Sequence, residues 1–462
     1  MNKINHKNNK LVTVYIVNKN YGSFLDKSIK SVLSQSYKKI EVIIIDDGSI
    51  DNSHEIISKY EKNENIKIVK QKSKGLIKSI NIAINLAKGE FIIRLDSDDY
   101  FERNAIIEFM KKFQESSKTN LVYCNYHLVD IEGNYIDTVD SSINISKSLK
   151  DRPAHGACMM IRTNILKEIG GYDERYNCQD GYYIWLALLS KGGFEHINKP
   201  LFSYRQHSMS LSKNETKINN TQAKILRDFV KSRNNKENSI IAIIPIREKL
   251  FGGSSNELNK LGNKPLLFWT IDAALRCKQV TKVVLACSTK ILKDKIYKRY
   301  KNKVSIYIRD KKSASLNTDL GPLVFTILKR YERYYSFKYD QICILNYQYP
   351  FKNAEHISKA SDMLSIFKLD SVIGVRSDNR LILTFNKGQL NPLSEYSIPR
   401  LERNSQLIKS GGLNIVSRKF LVKNKKILGG LMSTINFDKK SSHQIEDEFD
   451  MLLAHKILEI KK

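Results

Sequence analysis

No C-x-x-C pair occurs in the chain, and its six cysteines (Cys124, Cys158, Cys178, Cys277, Cys287 and Cys343) are scattered. That spacing argues against a disulfide framework or a clustered metal site and predicts the reduced, partly buried thiols of a cytosolic protein. Long apolar runs are also missing; none approaches the roughly 20 residues of a membrane span. The start, MNKINHKNNKLVTVYIV, is basic and then apolar in the manner of a signal peptide. Its apolar run is too short for one, however, and meets NKNYG rather than a small-residue cleavage site. It reads as a first β-strand. Acids are scarce: 48 Asp and Glu face 77 Lys and Arg, a formal net charge of +29. Such an excess suits nucleic acid, an anionic membrane surface or phosphorylated substrates. A lysine-rich coding bias accounts for most of it, because the lysines run along the whole chain. No zinc-finger spacing or RNA-binding aromatic signature supports a nucleic-acid role. With 41% hydrophobic and 27% charged residues the chain is globular, not disordered. Its 462 residues exceed one ordinary core and predict two or three domains.

Within the first half, short β-branched runs alternate with helical patterns. Strands are expected at 12–17 (VTVYIV), 41–46 (EVIIID), 66–70 (IKIVK), 91–96 (FIIRLD) and 121–126 (LVYCNY). Helices fall between them, as at 23–36 and 75–90, where Leu76, Ile80, Ala83, Ile84 and Ala87 form an apolar stripe. Nearly all-apolar strands between helices predict a parallel sheet covered on both faces. Residues 213–238 are polar and predict one helix and a charged linker. A second α/β pattern begins at 239 with SIIAIIPI. The expected organisation is thus a domain over 1–212, a connector over 213–238 and a second domain over 239–462, two tandem Rossmann-like nucleotide-binding domains.

Against the basic background, acids crowd at two places. EVIIIDDGS ends in Asp46 and Asp47, and FIIRLDSDD carries Asp96, Asp98 and Asp99 within four positions. In a parallel sheet, ligands collect at the carboxyl ends of the strands. A carboxylate there can accept from a base or a ribose hydroxyl, and a D-x-D pair can hold a hard divalent cation that binds a diphosphate. Turn and N-cap roles explain Asp47–Gly48–Ser49 equally well, but explain at most one of the three acids at 96–99. Asp180, in NCQDGYYIWLAL, sits where a loop enters an apolar helix and could be an N-cap.

Residues 12–212 resemble a family 2 glycosyltransferase of the A-type nucleotide-sugar (GT-A) fold. The resemblance rests on VTVYIVNKNYGSFLDKSIKSVLSQSY, EVIIIDDGSIDNS, GLIKSINIAINLAKGEFIIRLDSDD, ILKEIGGYDERYNCQDGYYIWLAL and LFSYRQHSMSLS in that order. It implies that Val17, Asn20, Asp47, Asn81, Asp96 and Asp98 bind the donor nucleotide, Asp47 at the base and Asp96 and Asp98 at the ribose and diphosphate. It implies a Mg²⁺ or Mn²⁺ on the diphosphate held by Asp98 and Asp99, with His207 as a further contact, and Asp180 as general base. An inverting transfer needs such a carboxylate to take the acceptor hydroxyl's proton. The chain departs from the family in having Gln179 where an acid usually precedes the base. It also has VNKNY after the first strand, so that Val17 and Asn18 would meet the base through their backbone. His207 could equally be an exposed loop histidine, Arg205 a phosphate ligand or a surface cation, and His155 an acceptor-cleft or a packing residue.

Residues 239–462 resemble the cytidylyltransferases that activate acidic sugars, through IIAIIPIREKLFGGSSNELNKLGNKPLLFWTIDAAL, QICILNYQYPF and HQIEDEFDMLLAHKIL. The resemblance implies a CTP-phosphate grip at Arg247, Ser254 and Ser255 and a metal site near Glu446 and Asp450. The catalytic letters have drifted: the family's Lys-Asn falls on Asn256–Glu257, and its metal-binding aspartates fall on Gln444 and Glu446. An acid at a phosphate site repels its ligand. Residues 447–450 could instead be a solvated helix face.

The expected protein is a cytoplasmic, metal-dependent glycosyltransferase in surface polysaccharide biosynthesis, peripherally associated with the inner face of the membrane. It takes a nucleotide-sugar donor and a glycan or lipid-linked acceptor, and binds no nucleic acid. Two alternatives stand beside it: a bifunctional protein that also makes a CMP-acidic sugar from CTP, and a non-catalytic nucleotide-binding scaffold.

Overall fold

The computed structural model describes residues 10–141, 148–149, 156–176, 178, 180–189, 191–207, 215–233, 238–246, 256–287, 291–309, 319–378, 380, 383–386, 389–392 and 406–460. Contacts divide the chain into two compact units, 1–143 with 152–213 and 381–403, and 144–151 with 214–380 and 404–462.

The first unit runs β1 (Val12–Asn18), α1 (Gly22–Leu33), β2 (Ile40–Asp46), α2 (Ser53–Ser58), β3 (Ile66–Lys70), α3 (Leu76–Leu86), β4 (Phe91–Asp96) and β5 (Tyr100–Phe101). It continues through α4 (Ala105–Glu115), β6 (Leu121–Val129), β7 (Tyr135–Val139), and, beyond β8 (Ser148–Leu149), β9 (Met159–Arg162), α5 (Thr163–Glu168), α6 (Asp180–Leu189) and β10 (Phe194–Arg205). Its sheet has the order β3-β2-β1-β4-β9-β6-β10-β5, with β7 paired to β6. Strands β1 to β4 are parallel, as their apolar interiors predict. The other half is mixed: β9 lies antiparallel between β4 and β6, and β5 is antiparallel to β10. A wholly parallel sheet was the expectation. The four residues MMIR of β9 are too short a run to declare a strand direction by themselves. The core beneath is aliphatic, with Val14, Ile16, Ile44, Ile80, Ile93 and Phe109 fully buried. Enclosing such side chains stabilises the unit by roughly 1.5–3 kcal/mol each.

The second unit contains α7 (Glu215–Arg233), β11 (Ile240–Pro245), β12 (Lys260–Leu261), β13 (Lys264–Pro265), α8 (Leu266–Arg276), β14 (Val280–Cys287), α9 (Ile291–Tyr300) and β15 (Val304–Ile308). After these come α10 (Leu320–Tyr335), β16 (Gln341–Leu345), α11 (Ala354–Ile366), β17 (Ser371–Asp378), the hairpin strands β18 (Leu383–Asn386) and β19 (Gln389–Pro392), β20 (Gln406–Ser417), α12 (Arg418–Asn424), β21 (Met432–Asn436) and α13 (Glu448–Glu459). The hairpin itself falls in the first unit's grouping. The second sheet has the order β15-β14-β11-β16-β20-β17-β21-β8. Its first four strands are parallel, and the long β20 pairs antiparallel to both β16 and β17.

Helix α7 does more than connect. Its Gln222 accepts from Lys359 Nζ at 2.7 Å, and its Arg227 Nε lies 3.5 Å from Asp362 Oδ2 on α11. Asp362 is fully buried and also accepts from Gln279 Nε2 at 2.6 Å. Burial lifts its carboxyl to about 6, against the pull of Gln279 and Arg227. Removing one member of such a buried set strands the other charge. Asp362→Ala is therefore expected to lower the unfolding free energy of the second unit by about 3 kcal/mol in urea titration, with α7 losing amide-exchange protection first. Unchanged stability would mean α7 is not held by this pair.

Candidate active site

Register sets the site. Pairing of β1 with β2 puts Asn18 beside Asp46, and pairing of β1 with β4 puts Val17 beside Asp96. Both acidic strand ends therefore meet at one sheet edge, where the parallel strands finish. Asp46 is held there by Asn18 Nδ2 at 3.1 Å and Ser49 Oγ at 2.6 Å.

Asp47, next in line, faces the segment after β3. Five donors converge on its carboxylate: Gln71 Nε2 (2.8 Å), Lys74 N (2.7 Å), Gly75 N (2.9 Å), Ser79 Oγ (3.1 Å) and Ser73 Oγ (3.2 Å). Burial alone would raise this carboxyl, but the donors outweigh it and hold it below the usual carboxylate range. Asp47 thus ties residues 71–79 to the end of β2. Asn20 adds a second tie. Its φ of 60° is the left-handed conformation that Asn tolerates, and its Oδ1 accepts from Ile50 N at 2.8 Å.

The acidic turn after β4 is braced from several sides. Arg94 Nε donates to Asp96 Oδ1 at 2.5 Å. His207 Nε2 lies 2.8 Å from Asp98 Oδ2. Arg205 donates its backbone N–H to Asp99 Oδ1 at 2.9 Å and its Nε to the Asp98 carbonyl at 2.8 Å. Arg205 is 2% exposed, and its Nη1 reaches the carbonyls of Asp130 and Ile131. It is no surface cation: its Nε and Nη1 are taken by backbone carbonyl oxygens. His207 is no exposed loop residue either: it is 6% exposed and stacks on Phe24 at 5.8 Å.

Burial and mutual charge act on the acids of this turn. Burial, and then the charge of Asp96, raise Asp98. Burial, Asp98 and Asp96 raise Asp99 well above the carboxylate range. Asp99 is 1% exposed, and its Oδ2 has no hydrogen-bond partner among the described residues. A buried, unmatched carboxylate oxygen beside a second carboxylate fits a hard divalent cation. Among the described residues no three His, Cys, Asp or Glu converge on one point. A cation here would thus draw its other ligands from water and a diphosphate, as Mg²⁺ commonly does. Sequence reading missed Tyr21, which lies against this turn: burial and the charges of Asp98, Asp96 and Asp99 push its hydroxyl up to about 12.

Other expected residues are placed differently. Asn81 donates Nδ2 to the Tyr172 carbonyl at 2.8 Å and accepts from Tyr172 N at 2.9 Å, so both ends of its amide clasp the GGYDERY segment to α3. Gly171 beside it, at φ 72°, leaves no room for a side chain: a Cβ would come within 2.7 Å of Asn81 Oδ1. Asp180 opens α6. Its side chain lies outside the described set, as do Gln179 and His155.

In the second unit, Arg247, Ser254 and Ser255 lie outside the described residues. Glu446 and Asp450 take part in local hydrogen bonds at the start of α13. Asp447 caps α13 by accepting from Asp450 N at 2.9 Å, Asp450 Oδ2 accepts from Glu446 N at 3.0 Å, and Gln444 Nε2 donates to Glu446 at 2.5 Å. This is N-terminal capping chemistry, which the acid spacing mimics. Glu257 is 5% exposed, and its charge adds to the burial that pushes Tyr347 up to about 12. Lys352, also unnoticed in the sequence, is buried and donates to the carbonyls of Asn346 and Tyr349 at 2.6 and 2.5 Å and to Thr270 Oγ1 at 3.0 Å. It fastens the turn after β16.

Asp47→Asn is expected to cost about 2 kcal/mol of stability at neutral pH, because it replaces a charged acceptor of several hydrogen bonds. Since the folded carboxyl titrates below its unfolded counterpart, that contribution is complete above the ordinary carboxylate range. It fades as pH falls through the depressed folded value. Urea unfolding of wild type and variant across acid pH checks both the size and the direction.

Both units are similar to known proteins. The family model described as glycosyl transferase family 2 matches residues 13–170, and that described as cytidylyltransferase matches 241–372. A UDP-Glc:alpha-D-GlcNAc-diphosphoundecaprenol beta-1,3-glucosyltransferase of Escherichia coli is 34% identical over 225 residues, 47% of this chain and 86% of the relative. A glycosyltransferase of Streptococcus pneumoniae is 33% identical over 224 residues, 44% of this chain and 74% of the relative. A chondroitin synthase of Pasteurella multocida is 30% identical over 206 residues, 44% of this chain but only 21% of that longer enzyme, so the chain spans about a fifth of its length. Through its first unit, the chain belongs to glycosyltransferase family 2.

Proposed function

We propose that the first unit transfers a sugar from a nucleotide-sugar donor to a glycan or lipid-linked acceptor, with inversion, in surface polysaccharide assembly on the cytoplasmic side of a membrane. The observation that carries this reading is the pair of acidic strand ends brought to one sheet edge, with Asp99 Oδ2 buried and unmatched. The E. coli relative, whose name gives a UDP-sugar donor and a lipid diphosphate acceptor, supports the substrate classes.

Each residue's part follows from its place. The wall at Val17 and the segment closed by Asp47 receive the nucleotide base. Asp96, held by Arg94, faces the ribose. Asp98 and Asp99 hold Mg²⁺ or Mn²⁺, which when bound neutralises charge on the diphosphate leaving group. His207 orients Asp98 rather than replacing it. Asp180 takes the proton from the acceptor hydroxyl as that oxygen attacks the anomeric carbon, while the bond to the diphosphate breaks on the opposite face. The second unit contributes no nucleotidyl transfer in this reading, because Asp450 is tied into the capped start of α13 and the Glu446 carboxylate accepts from Gln444.

A screen of nucleotide sugars with Mn²⁺ is expected to find one that the full chain turns over. Asp180→Asn should lower kcat by about a hundredfold or more, with a smaller change in donor KM. Chelation should abolish turnover, and added Mn²⁺ should restore it. If no nucleotide sugar is turned over or bound, the transferase reading fails. The full chain incubated with CTP, Mg²⁺ and acidic sugars should release no diphosphate above background. Release would show that the second unit is a working cytidylyltransferase.

A further inference from the structure

On the second unit, α10 and α12 lie side by side. Gly321 at one end of α10 packs on the backbone of Lys425, and Glu332 near the other end takes both Nε and Nη2 of Arg418, at 2.6 and 3.0 Å. Beside this pair opens a recess of about 570 Å³ lined by Lys338, Tyr339, Asp340, Arg418, Lys419, Val422 and Lys423. The chain leaving α10 reads RYYSFK, and all six of these residues are exposed. Tyr334, Tyr335 and Phe337 are 78%, 45% and 40% exposed, and the first two pack edge to face at 4.8 Å.

The acids of this face are already engaged. Glu332 is 9% exposed and paired with Arg418, and Asp340 accepts from Ser239 N and Oγ at 2.8 and 2.7 Å. Lys338, Lys419 and Lys423 are exposed. The face is therefore cationic and carries large apolar rings in water, which soluble proteins rarely leave clustered. It is not the nucleotide edge. Asp340 directly precedes β16 and Ser239 directly precedes β11, so the face lies where these parallel strands begin, opposite the ends where ligands collect.

We propose that this face docks on the surface of an anionic phospholipid bilayer, with Lys338, Lys419 and Lys423 meeting lipid phosphates and Tyr334 and Phe337 entering the headgroup layer. Lysines near a bilayer are drawn to its negative surface potential, and tyrosine rings favour the interface because one end is apolar and the other wet. A soluble polyanion would use the lysines but would gain far less from exposed phenylalanine. The proposal sharpens the membrane location above, but vesicle binding is measured without donor or acceptor and can succeed or fail whatever becomes of the transferase reading.

The full chain is centrifuged with phosphatidylcholine vesicles, with or without phosphatidylglycerol. Binding is expected to the anionic vesicles only. The triple variant Lys338→Gln, Lys419→Gln, Lys423→Gln should partition about a hundredfold more weakly, from the several-fold worth of each lysine at a charged surface. Tyr334→Ser with Phe337→Ser should also weaken vesicle binding while leaving retention on heparin unchanged. All five positions are exposed. Their thermal unfolding should match wild type, and the lipid-composition series on wild type stands even if a variant misfolds. No binding to anionic vesicles, equal binding to neutral ones, or a lysine variant that binds like wild type would overturn the proposal. So would aromatic variants that keep full vesicle binding, since the face would then be a site for soluble polyanions.

Discussion

The first unit depends on how β10 ends. Arg205 and His207 close over the acidic turn, and the guanidinium of Arg205 is committed to three backbone carbonyls rather than to a carboxylate. That choice fixes the turn's shape without neutralising it. One direct Arg–Asp pair, Arg94 with Asp96, braces the turn. Asp99 keeps one oxygen buried and unmatched, and burial together with Asp98 and Asp96 raises its carboxyl. A buried polar oxygen without a partner is among the costlier features a fold can carry. Its retention at a strand end suits the divalent cation proposed for this turn.

Asp47 shows the opposite use of a carboxylate. Its donors all come from its own chain, so the charge is compensated within the fold and its contribution to a ligand is geometric. The two acids of a single D-D-G-S motif and the three of D-S-D-D thus divide between building the site and equipping it. Asp46 and Asp47 build; Asp98 and Asp99 are left poised.

Much of this was legible in the sequence because strand interiors and acids are local signals. VTVYIV, EVIIID and FIIRLD predicted β1, β2 and β4 and the edge where their acids meet. Long-range choices were not legible. MMIR forms β9 only because β4 and β6 offer it edges, and the long β20 follows from pairing with β16 and β17. Arg205 could be read as a phosphate ligand or a surface cation, because nothing local reveals that carbonyls at 130 and 131 fold back onto it. Nor was the clasp of Asn81 on Tyr172, ninety-one positions away, legible, though it takes both ends of the amide. In the second unit the acids near 446–450 resembled metal ligands because a capping helix start and a carboxylate site use the same letters.

The account's central claim is that the turn at 96–99 is unfinished without a divalent cation carried by a diphosphate. Electron paramagnetic resonance of Mn²⁺ titrated into the full chain, with a panel of nucleoside diphosphates, tests it directly. The signal of free Mn²⁺ should disappear on adding wild-type protein together with the right diphosphate. It should persist under the same conditions with Asp99→Asn, whose apparent affinity should fall at least about tenfold. Equal Mn²⁺ binding by wild type and Asp99→Asn, or none by wild type with any diphosphate, would contradict it.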